Sequence, residues 1–251
     1  TCEQLQAVNS NLGAYFLVIN DIDCSETVSW NGGLGFLPLG STTDPFIGNF
    51  NGAGHNINDL VINRGASDNV APFGYVGASG VIERVGINRG KFTGSGYTAG
   101  LVSQNFGTIS QSYAVSDVTT LKTSASYSAG LVGLNEGIVA NSYARGSVTG
   151  SSIARISGLI GYHKSTGSLT NSFAASVISG SGSSYMKGLI SYPASSIGAV
   201  SNSFWDINVS DQDASYGGMG TTTSALKIAS TFTDVGWNLE DVWHMDGIKN
   251  D

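Results

Sequence analysis

Charged residues and proline are scarce in this sequence. Only 12% of its 251 residues are charged, whereas 41% are hydrophobic, and 35 glycines stand against 4 prolines. A chain this apolar is not expected to be disordered, and its glycines lack the period of collagen. We therefore expect one folded domain, rich in turns, because a solenoid or another all-β architecture accommodates this length.

Basic residues are also few, and they are not clustered. The 11 lysines and arginines are scattered singly, and the formal net charge is −7. Nucleic acid and anionic membrane surfaces are bound by basic stripes, so we expect neither partner. No apolar run approaches the roughly 18 to 20 residues that span a bilayer, which predicts no membrane insertion. Thr1 begins no signal peptide, so we expect a mature product or a fragment of a longer surface protein.

Cysteine is limited to Cys2 and Cys24. Two cysteines lack the four-ligand pattern of a structural zinc site. In a secreted chain an even count favours pairing, so we expect a disulfide between them; two unpaired buried thiols are the alternative. We expect no cofactor.

A repeat of about 30 residues occupies the middle of the chain. Its best copy is residues 130–148, and Gly-Leu pairs begin at positions 100, 130, 158 and 188. Aromatic residues recur with a similar period at positions 113, 143, 173 and 204. A fixed period of this size indicates stacked supersecondary units, none of which can bury its apolar face alone. Each unit contains a Gly-Leu-Val patch, an Asn-Ser-Tyr patch and a Gly-x-Val patch, which predicts three short strands per coil.

Strand alternation suggests which side chains of the Asn-Ser-Tyr patch are buried. If residues 109–114 form one strand, Ile109, Gln111 and Tyr113 share one face, and Ser112 and Ala114 share the other. The aromatic face would bury more apolar area, so we expect that face to point inward.

Charged residues at repeat positions indicate surface columns. Arg84 falls in the column otherwise held by Asn, which suits an outward column and argues against the inward placement of that face. In the leading patch Arg155 and Lys187 stand where other copies have Tyr97 and Ala99, so we expect those positions to face water. Asn side chains in such columns can hydrogen-bond from rung to rung.

The two ends of the chain depart from the repeat. Leu5, Val8 and Leu12 have helical spacing, which predicts a short helix within an N-terminal cap at residues 1–13. Lead-in coils follow at 14–67, and repeats of 28–31 residues at 68–205. We interpret residues 206–251 as an irregular C-terminal cap, with final edge strands at 235–237 and 242–243. About seven coils are expected in all.

The unit Gly-Leu-Val-Gly-x-Asn-x-Gly-x-Ile/Val-x-Asn-Ser-Tyr-Ala-x-Gly-x-Val closely resembles the GLUG repeat of bacterial surface proteins, among them filamentous-haemagglutinin-like adhesins. Residues 46–60 resemble the Phe-x-Gly-x-Phe-Asp-Gly-Asn-Gly-His-x-Ile-x-x-Leu lead-in of these proteins, with Asn51 in place of Asp and Ala53 in place of Asn. Residues 204–206, 217–222 and 242–243 resemble the segment that closes such arrays. The resemblance implies a right-handed parallel β-helix in a secreted or cell-surface adhesin, and it implies no catalytic residue.

Catalytic groups are sparse. Glycosidases need two carboxyl groups about 5 to 10 Å apart, but Glu83, Asp117 and Glu136 fall at different positions of their repeats. The three histidines are far apart in sequence, and no Gly-x-Ser-x-Gly motif accompanies them; they are His55, His163 and His244. We therefore expect no catalytic residue.

Residues 206–213 place oxygen-bearing side chains at alternate positions, which superficially suits a Ca²⁺ loop. The segment departs from the EF-hand pattern, because Asp211 stands where the sharp-turn glycine belongs and Gly217 where the bidentate Glu belongs. A solvated turn that leaves the last coil is the favoured interpretation, and we expect no metal site.

The sequence thus favours a non-catalytic, secreted or cell-surface structural or adhesive module, such as a subunit or segment of a surface filament or large adhesin. The expected partner is a surface glycan or protein of a host or neighbouring cell, or further copies of the chain. The alternative is a carbohydrate-active enzyme, a polysaccharide lyase or hydrolase, on a β-helix scaffold. In either case we expect function to depend on positions that fail to repeat, such as Arg84, Arg155, Lys187 and the acidic loop after Trp205.

Overall fold

A computed structural model describes residues 1–121, 126–151, 154–181, 185–193 and 197–245. The chain is all-β, and its parallel strands stack as a β-solenoid of about six turns with a short N-terminal helix. The predicted parallel β-helix is therefore confirmed. About seven coils were expected, and sheet III has seven strands.

The strands form four parallel sheets, named I to IV in the order in which one coil passes through them. Sheet I contains β6 (Asn69–Val70), β10 (Tyr97–Ala99), β14 (Tyr127–Ala129), β18 (Arg155–Ser157) and β22 (Met186–Lys187). Sheet II contains β7 (Phe73–Val76), β11 (Val102–Asn105), β15 (Val132–Asn135), β19 (Ile160–His163) and β23 (Ile190–Pro193).

The other two sheets are longer. Sheet III contains β1 (Tyr15–Leu17), β3 (Asn49–Asn51), β8 (Val81–Glu83), β12 (Thr108–Ser110), β16 (Ile138–Ala140), β20 (Ser168–Thr170) and β24 (Ala199–Ser201). Sheet IV contains β2 (Ile22–Asp23), β4 (Asn56–Asn58), β5 (Val61–Asn63), β9 (Gly86–Gly94), β13 (Tyr113–Thr120), β17 (Tyr143–Gly150), β21 (Phe173–Gly180), β25 (Phe204–Asp206) and β26 (Met219–Thr221).

A complete coil therefore has four strands, not the three that were predicted. The Asn-Ser-Tyr patch does not form one strand, because Gln111 and Asn141 adopt left-handed backbone conformations, with φ of 47° and 50°. This corner ends the sheet III strand and starts the sheet IV strand. Asn tolerates the left-handed region better than most residues, which explains why it recurs at this position.

The same corner reverses the predicted inward face. Ile109 is buried as expected, but Tyr113 beyond the corner is only partly buried, whereas Ser112 and Ala114 are fully inside. The alternation rule applies only within a strand, and the left-handed residue interrupts the strand. Arg84 has φ of 55° and an exposed side chain, so the Asn column faces outward, as this charged residue indicated and contrary to the favoured inward placement.

Serine at the corner forms an internal ladder. The backbone N–H of Ser112 donates to Oγ of Ser142, and the N–H of Ser142 donates to Oγ of Ser172, each at 3.2 Å. Each hydroxyl donates in turn to a backbone carbonyl two residues earlier. The repeated serine therefore provides hydrogen-bond partners for backbone N–H and C=O groups at the corner, where the strands of sheet III end.

Glycine of the Gly-Leu pair allows neighbouring coils to approach closely. A Cβ atom added to Gly100 would lie 2.0 Å from the carbonyl oxygen of Gly130, and one added to Gly130 would lie 2.3 Å from that of Gly158. No larger residue fits these corners without a shift of the backbone. The adjoining Leu101 and Leu131 are fully buried.

Two columns of the leading patch differ from each other. Tyr97, Tyr127 and Arg155 are partly buried and point outward, as predicted. Ala99 is fully buried, so the expectation that its column faces water was wrong. Lys187 ends that column and is partly buried.

The N-terminal cap contains α1 (Cys2–Ala7) followed by a 3-10 helix, Val8–Ser10. Leu5, Val8 and Leu12 are buried, as the helical spacing predicted. Cys2 forms a disulfide with Cys24, and both residues are buried. A 3-10 helix, Ser25–Ser29, and α2 (Trp30–Gly33) complete the first coil.

The C-terminal segment contains α3 (Ile207–Ser210), a 3-10 helix, Ala225–Lys227, and α4 (Ser230–Thr233). Edge strands predicted at 235–237 and 242–243 are absent from this described segment, which forms turns there. Trp237 and Trp243 instead pack on outward aromatic residues of sheet IV. Among the described residues no helix is both long and apolar enough to span a bilayer.

The disulfide should stabilise the N-terminal cap measurably. It closes a loop with a sequence separation of 22 residues, for which the chain-entropy model gives about 3 kcal/mol. We expect a Cys2→Ser/Cys24→Ser variant to lose roughly that free energy of unfolding in urea titrations. Reductant should lower the wild-type midpoint without affecting the variant. Equal midpoints for the oxidised wild type and the variant would contradict the stabilising role.

Candidate functional site

Two columns of outward side chains run side by side along sheets I and II. The sheet I column contains Asn69, Tyr97, Tyr127 and Arg155. The sheet II column contains Tyr75, Gln104, Leu134, Tyr162 and Tyr192. The aromatic residues are spread over successive rungs, so the two columns form a continuous strip along the solenoid axis.

The two sheets meet closely beneath these columns. The hydroxyl of Ser103 donates to the backbone carbonyl of Tyr97 at 2.8 Å. A Cβ atom added to Gly133 would lie 3.0 Å from Cβ of Tyr97. Outward side chains from both sheets therefore share one crease.

Tyrosine rings fill this crease. Tyr97 stacks on Tyr127 with ring centroids 5.6 Å apart, and Tyr127 stacks on Tyr162 at 4.8 Å. Tyr192 meets Tyr162 edge-on at 5.5 Å. We name the set Tyr97, Tyr127, Arg155, Tyr162 and Tyr192 the tyrosine crease.

Arg155 lies among the rings. Its guanidinium carbon is 4.4 Å from the ring centroid of Tyr192, 4.8 Å from that of Tyr185 and 5.2 Å from that of Tyr127. These distances are typical of cation–π contacts. Nη1 donates to the Tyr127 hydroxyl at a long 3.5 Å. In the part of the chain that the structure describes, no carboxylate oxygen lies within 4.0 Å of Arg155, and its buried Nε has no hydrogen-bond partner.

The second cation at the crease is neutralised. Nζ of Lys164 lies 5.8 Å from the Tyr162 ring centroid and 2.5 Å from Oε1 of Glu136. The hydrogen bond to Glu136 raises the pKa of Lys164, because it favours the ammonium form. Lys164 is therefore engaged within the protein, unlike Arg155.

The phenols of Tyr97 and Tyr127 stay protonated at neutral pH. Burial raises the pKa of Tyr97 and that of Tyr127 above the ordinary value, because a phenolate would be poorly solvated there. Each hydroxyl can therefore donate and accept hydrogen bonds. The crease combines flat apolar rings, neutral hydroxyls and one unpaired cation, as many ligand sites do.

A second aromatic column lies on sheet IV and is covered by the C-terminal segment. Tyr143 stacks on Tyr113 at 4.8 Å and on Phe173 at 5.0 Å. Trp243 lies 6.0 Å from Tyr143. Burial raises the pKa of Tyr143 to about 12. Because tryptophans already cover these rings, the column serves the packing of the cap.

The three carboxylates considered for glycosidase catalysis lie apart, and each one bonds to its own partner within the protein. Glu83 on sheet III accepts hydrogen bonds from the amides of Asn49 and Asn51. Asp117 on sheet IV accepts one from Ser147 at 2.6 Å, and Glu136 beyond sheet II pairs with lysine. The described structure does not bring these three carboxylates onto one face.

The acidic loop is organised around a helix cap. Asp206 is buried and its Oδ1 accepts from the backbone N–H groups of Asn208 and Val209 at 2.9 and 3.1 Å. The hydroxyl of Thr223 donates to the same carboxylate. Asp211 and Asp213 are exposed. Within the described ranges no three His, Cys, Asp or Glu side chains are grouped to hold a metal ion.

The structure keeps the three histidines apart. His55 lies 3.2 Å from Asp21 at the N-terminal end, and His244 lies beside the C-terminal cavity of about 270 Å³. His163 is fully buried beneath the crease and ends an amide ladder. Nδ2 of Asn105 donates to Oδ1 of Asn135 at 2.8 Å, and Nδ2 of Asn135 lies 3.3 Å from Nδ1 of His163.

Of the residues that break the repeat, only Arg155 belongs to the tyrosine crease. Arg84 is exposed at its corner, and Nζ of Lys187 lies 5.9 Å from the Tyr216 ring centroid. The tyrosines themselves were not predicted as a site. Their signal was present in the spacing of Tyr97 and Tyr127, and of Tyr162 and Tyr192, each 30 residues apart.

Fold and crease together define a parallel β-solenoid with one aromatic, cation-bearing face. No protein-family model matches the chain. The chain is similar to halomucin of Haloquadratum walsbyi, with 34% identity over 111 residues, and to a putative Gly-rich membrane protein of Evansella cellulosilytica, with 30% identity over 114 residues. These alignments cover 42% and 43% of the chain but 1% and 13% of the two relatives. The chain thus spans a small part of the length of either relative.

Protonation of His163 should destabilise the fold. Burial lowers the pKa of His163, and a proton on Nδ1 would face the donating amide of Asn135. Between the lowered folded pKa and the unfolded value of about 6.5, the unfolded chain binds more protons, so stability decreases as pH falls through this range. We expect His163→Asn, which extends the amide ladder, to lessen that decrease by up to about 1.4 kcal/mol per pH unit.

Urea denaturation of the wild type and His163→Asn at pH values from 7 to 5 measures this difference. Identical pH profiles for the wild type and His163→Asn would contradict the role of His163.

Proposed function

We propose that this chain is a non-catalytic adhesive module of a secreted or cell-surface protein and that the tyrosine crease is its binding face for carbohydrate. The proposal includes membership of the GLUG-repeat surface proteins, on the motif at residues 130–148. The observation that carries the proposal is the crease itself, an uninterrupted strip of partly buried tyrosines on successive rungs.

The chemistry of the crease suits a saccharide. Pyranose rings have one apolar face of C–H groups and a rim of hydroxyls. Tyr97, Tyr127 and Tyr162 stack on one another, so their ring edges can contact the apolar sugar face while the phenol hydroxyls exchange hydrogen bonds with the sugar rim. A strip along the solenoid axis, with rungs about 4.8 Å apart, would accommodate several sugar units of one chain.

The remaining repeat positions support a scaffold role. The glycine, leucine, serine and left-handed asparagine positions are all explained by the stacking of coils. Both similar proteins are far longer than the aligned region, and one is described as a membrane protein. These likenesses favour a module within a large protein at the cell surface.

A carbohydrate-active enzyme on the same scaffold is the second candidate. The observation in its favour is that phenol hydroxyls and an arginine share one crease, because tyrosine can act as an acid or base. The separation of Glu83, Asp117 and Glu136 favours binding without cleavage over hydrolysis by a carboxylate pair.

A glycan array with substituted proteins tests the binding face. We expect Tyr127→Leu/Tyr162→Leu to bind glycans at least tenfold more weakly than the wild type, about 1.4 kcal/mol, because two phenol hydroxyls and the aromatic stack are lost. Leucine suits these columns, since Leu134 already occupies one of them. Tyr15→Ala, an exposed tyrosine outside the crease, should bind as the wild type does.

Thermal melting of each variant should show that folding is retained. Unchanged glycan binding by the double variant, or the absence of binding by the wild type across neutral and acidic glycans, would contradict the proposal. Release of new reducing ends or unsaturated sugars from a bound glycan would instead support the enzyme.

A further inference from the structure

We infer that the tyrosine crease selects saccharides that carry a carboxylate, with Arg155 as the residue that receives it. The inference rests on the proposed function, because it names the ligand class of the same face. It is carried by an unpaired, partly buried guanidinium within an otherwise neutral aromatic strip.

Arg155 is not required by the stacking of the crease. The sheet I column reads Tyr97, Tyr127, Arg155 in register, so a third tyrosine would extend the same ladder. Arginine replaces flat apolar area with a cation whose partial burial costs free energy unless its donors are satisfied. The exchange of tyrosine for arginine therefore suggests a role outside packing.

The donors of Arg155 are largely unused within the protein. A guanidinium has five N–H donors. The one hydrogen bond found for Arg155 is the 3.5 Å contact to the Tyr127 hydroxyl, and its buried Nε has no partner among the described residues. By contrast, Arg89 donates two short hydrogen bonds to Asp59, and Lys164 pairs with Glu136.

The rings around Arg155 preorganise it for an anion. Tyr127, Tyr185 and Tyr192 each hold the guanidinium carbon within 5.2 Å of their centroids. Contacts of this kind restrict the planar group and use its π faces, whereas its N–H edge remains suited to a bidentate carboxylate. Neighbouring tyrosine faces would hold the sugar ring that bears the acid.

The overall charge of the protein would not attract an acidic ligand. The formal net charge of the chain is −7, so distant charges oppose an anionic ligand. Preference for an acidic sugar would have to come from Arg155 itself. A carboxylate accepts both N–H groups of the planar arginine fork, so the carboxylate is the ligand that we assign.

Calorimetric titration with a galacturonate hexasaccharide and its fully methyl-esterified form tests the inference. The two probes share a sugar backbone and differ in charge. We expect the wild type to bind the acid at least tenfold more tightly than the ester. Arg155→Tyr, which completes the tyrosine ladder, should lose the preference and bind the acid and the ester equally. Arg155→Lys should keep only part of that preference.

The outcomes separate this inference from the proposed function. Equal binding of acid and ester by the wild type, or a preference for the acid that persists in Arg155→Tyr, would overturn the inference and leave carbohydrate binding intact. Binding of neither probe would overturn the inference, whereas the proposed function fails only if the glycan array also shows no binding. Tighter binding of a sulfated than of a carboxylated oligosaccharide would overturn the assignment of the carboxylate.

Discussion

Parallel pairing of successive coils in one fixed register is the constraint on which the rest of the structure depends. Each coil lies against the next through four sheets, so a residue type that suits one rung is repeated at the same place on the following rungs. Glycine recurs where carbonyl oxygens approach, serine where backbone N–H groups need acceptors, and asparagine where the backbone is left-handed. The sequence repeat is the consequence of these local requirements.

The fixed register also explains how a scaffold built from small residues acquires a continuous aromatic surface. Once one outward position carries tyrosine, repetition places further rings about 4.8 Å away on neighbouring rungs, and the contact between sheets I and II brings two such columns together. Within that face Arg155 is the departure from the pattern. Because Arg155 interrupts the column of tyrosines without improving its packing, it is the residue best placed to recognise a specific ligand.

Periodicity was sufficient to predict a parallel β-helix and the N-terminal helix, and the charged Arg84 indicated an outward Asn column even though the aromatic preference placed that column inside. The inward face was predicted wrongly, since a single left-handed residue such as Gln111 divides an apparently continuous strand. The crease was not predicted either: the contact of Tyr127 with Tyr162 joins different sheets and different rungs. The C-terminal cap has no repeat, so Trp237 and Trp243 gave no periodic signal.

Engineered cross-linking tests the register most directly. Thr119 and Thr149 are paired on adjacent rungs, at a separation that a disulfide spans. The account predicts that Thr119→Cys/Thr149→Cys forms this additional disulfide in high yield. Thr119→Cys/Ser147→Cys should not, because these Cα atoms are displaced by two residues along the strand and lie roughly 8 Å apart. Mapping of the cross-links by mass spectrometry would contradict the stacked register if the second pair formed as readily as the first, or if the first pair failed to form.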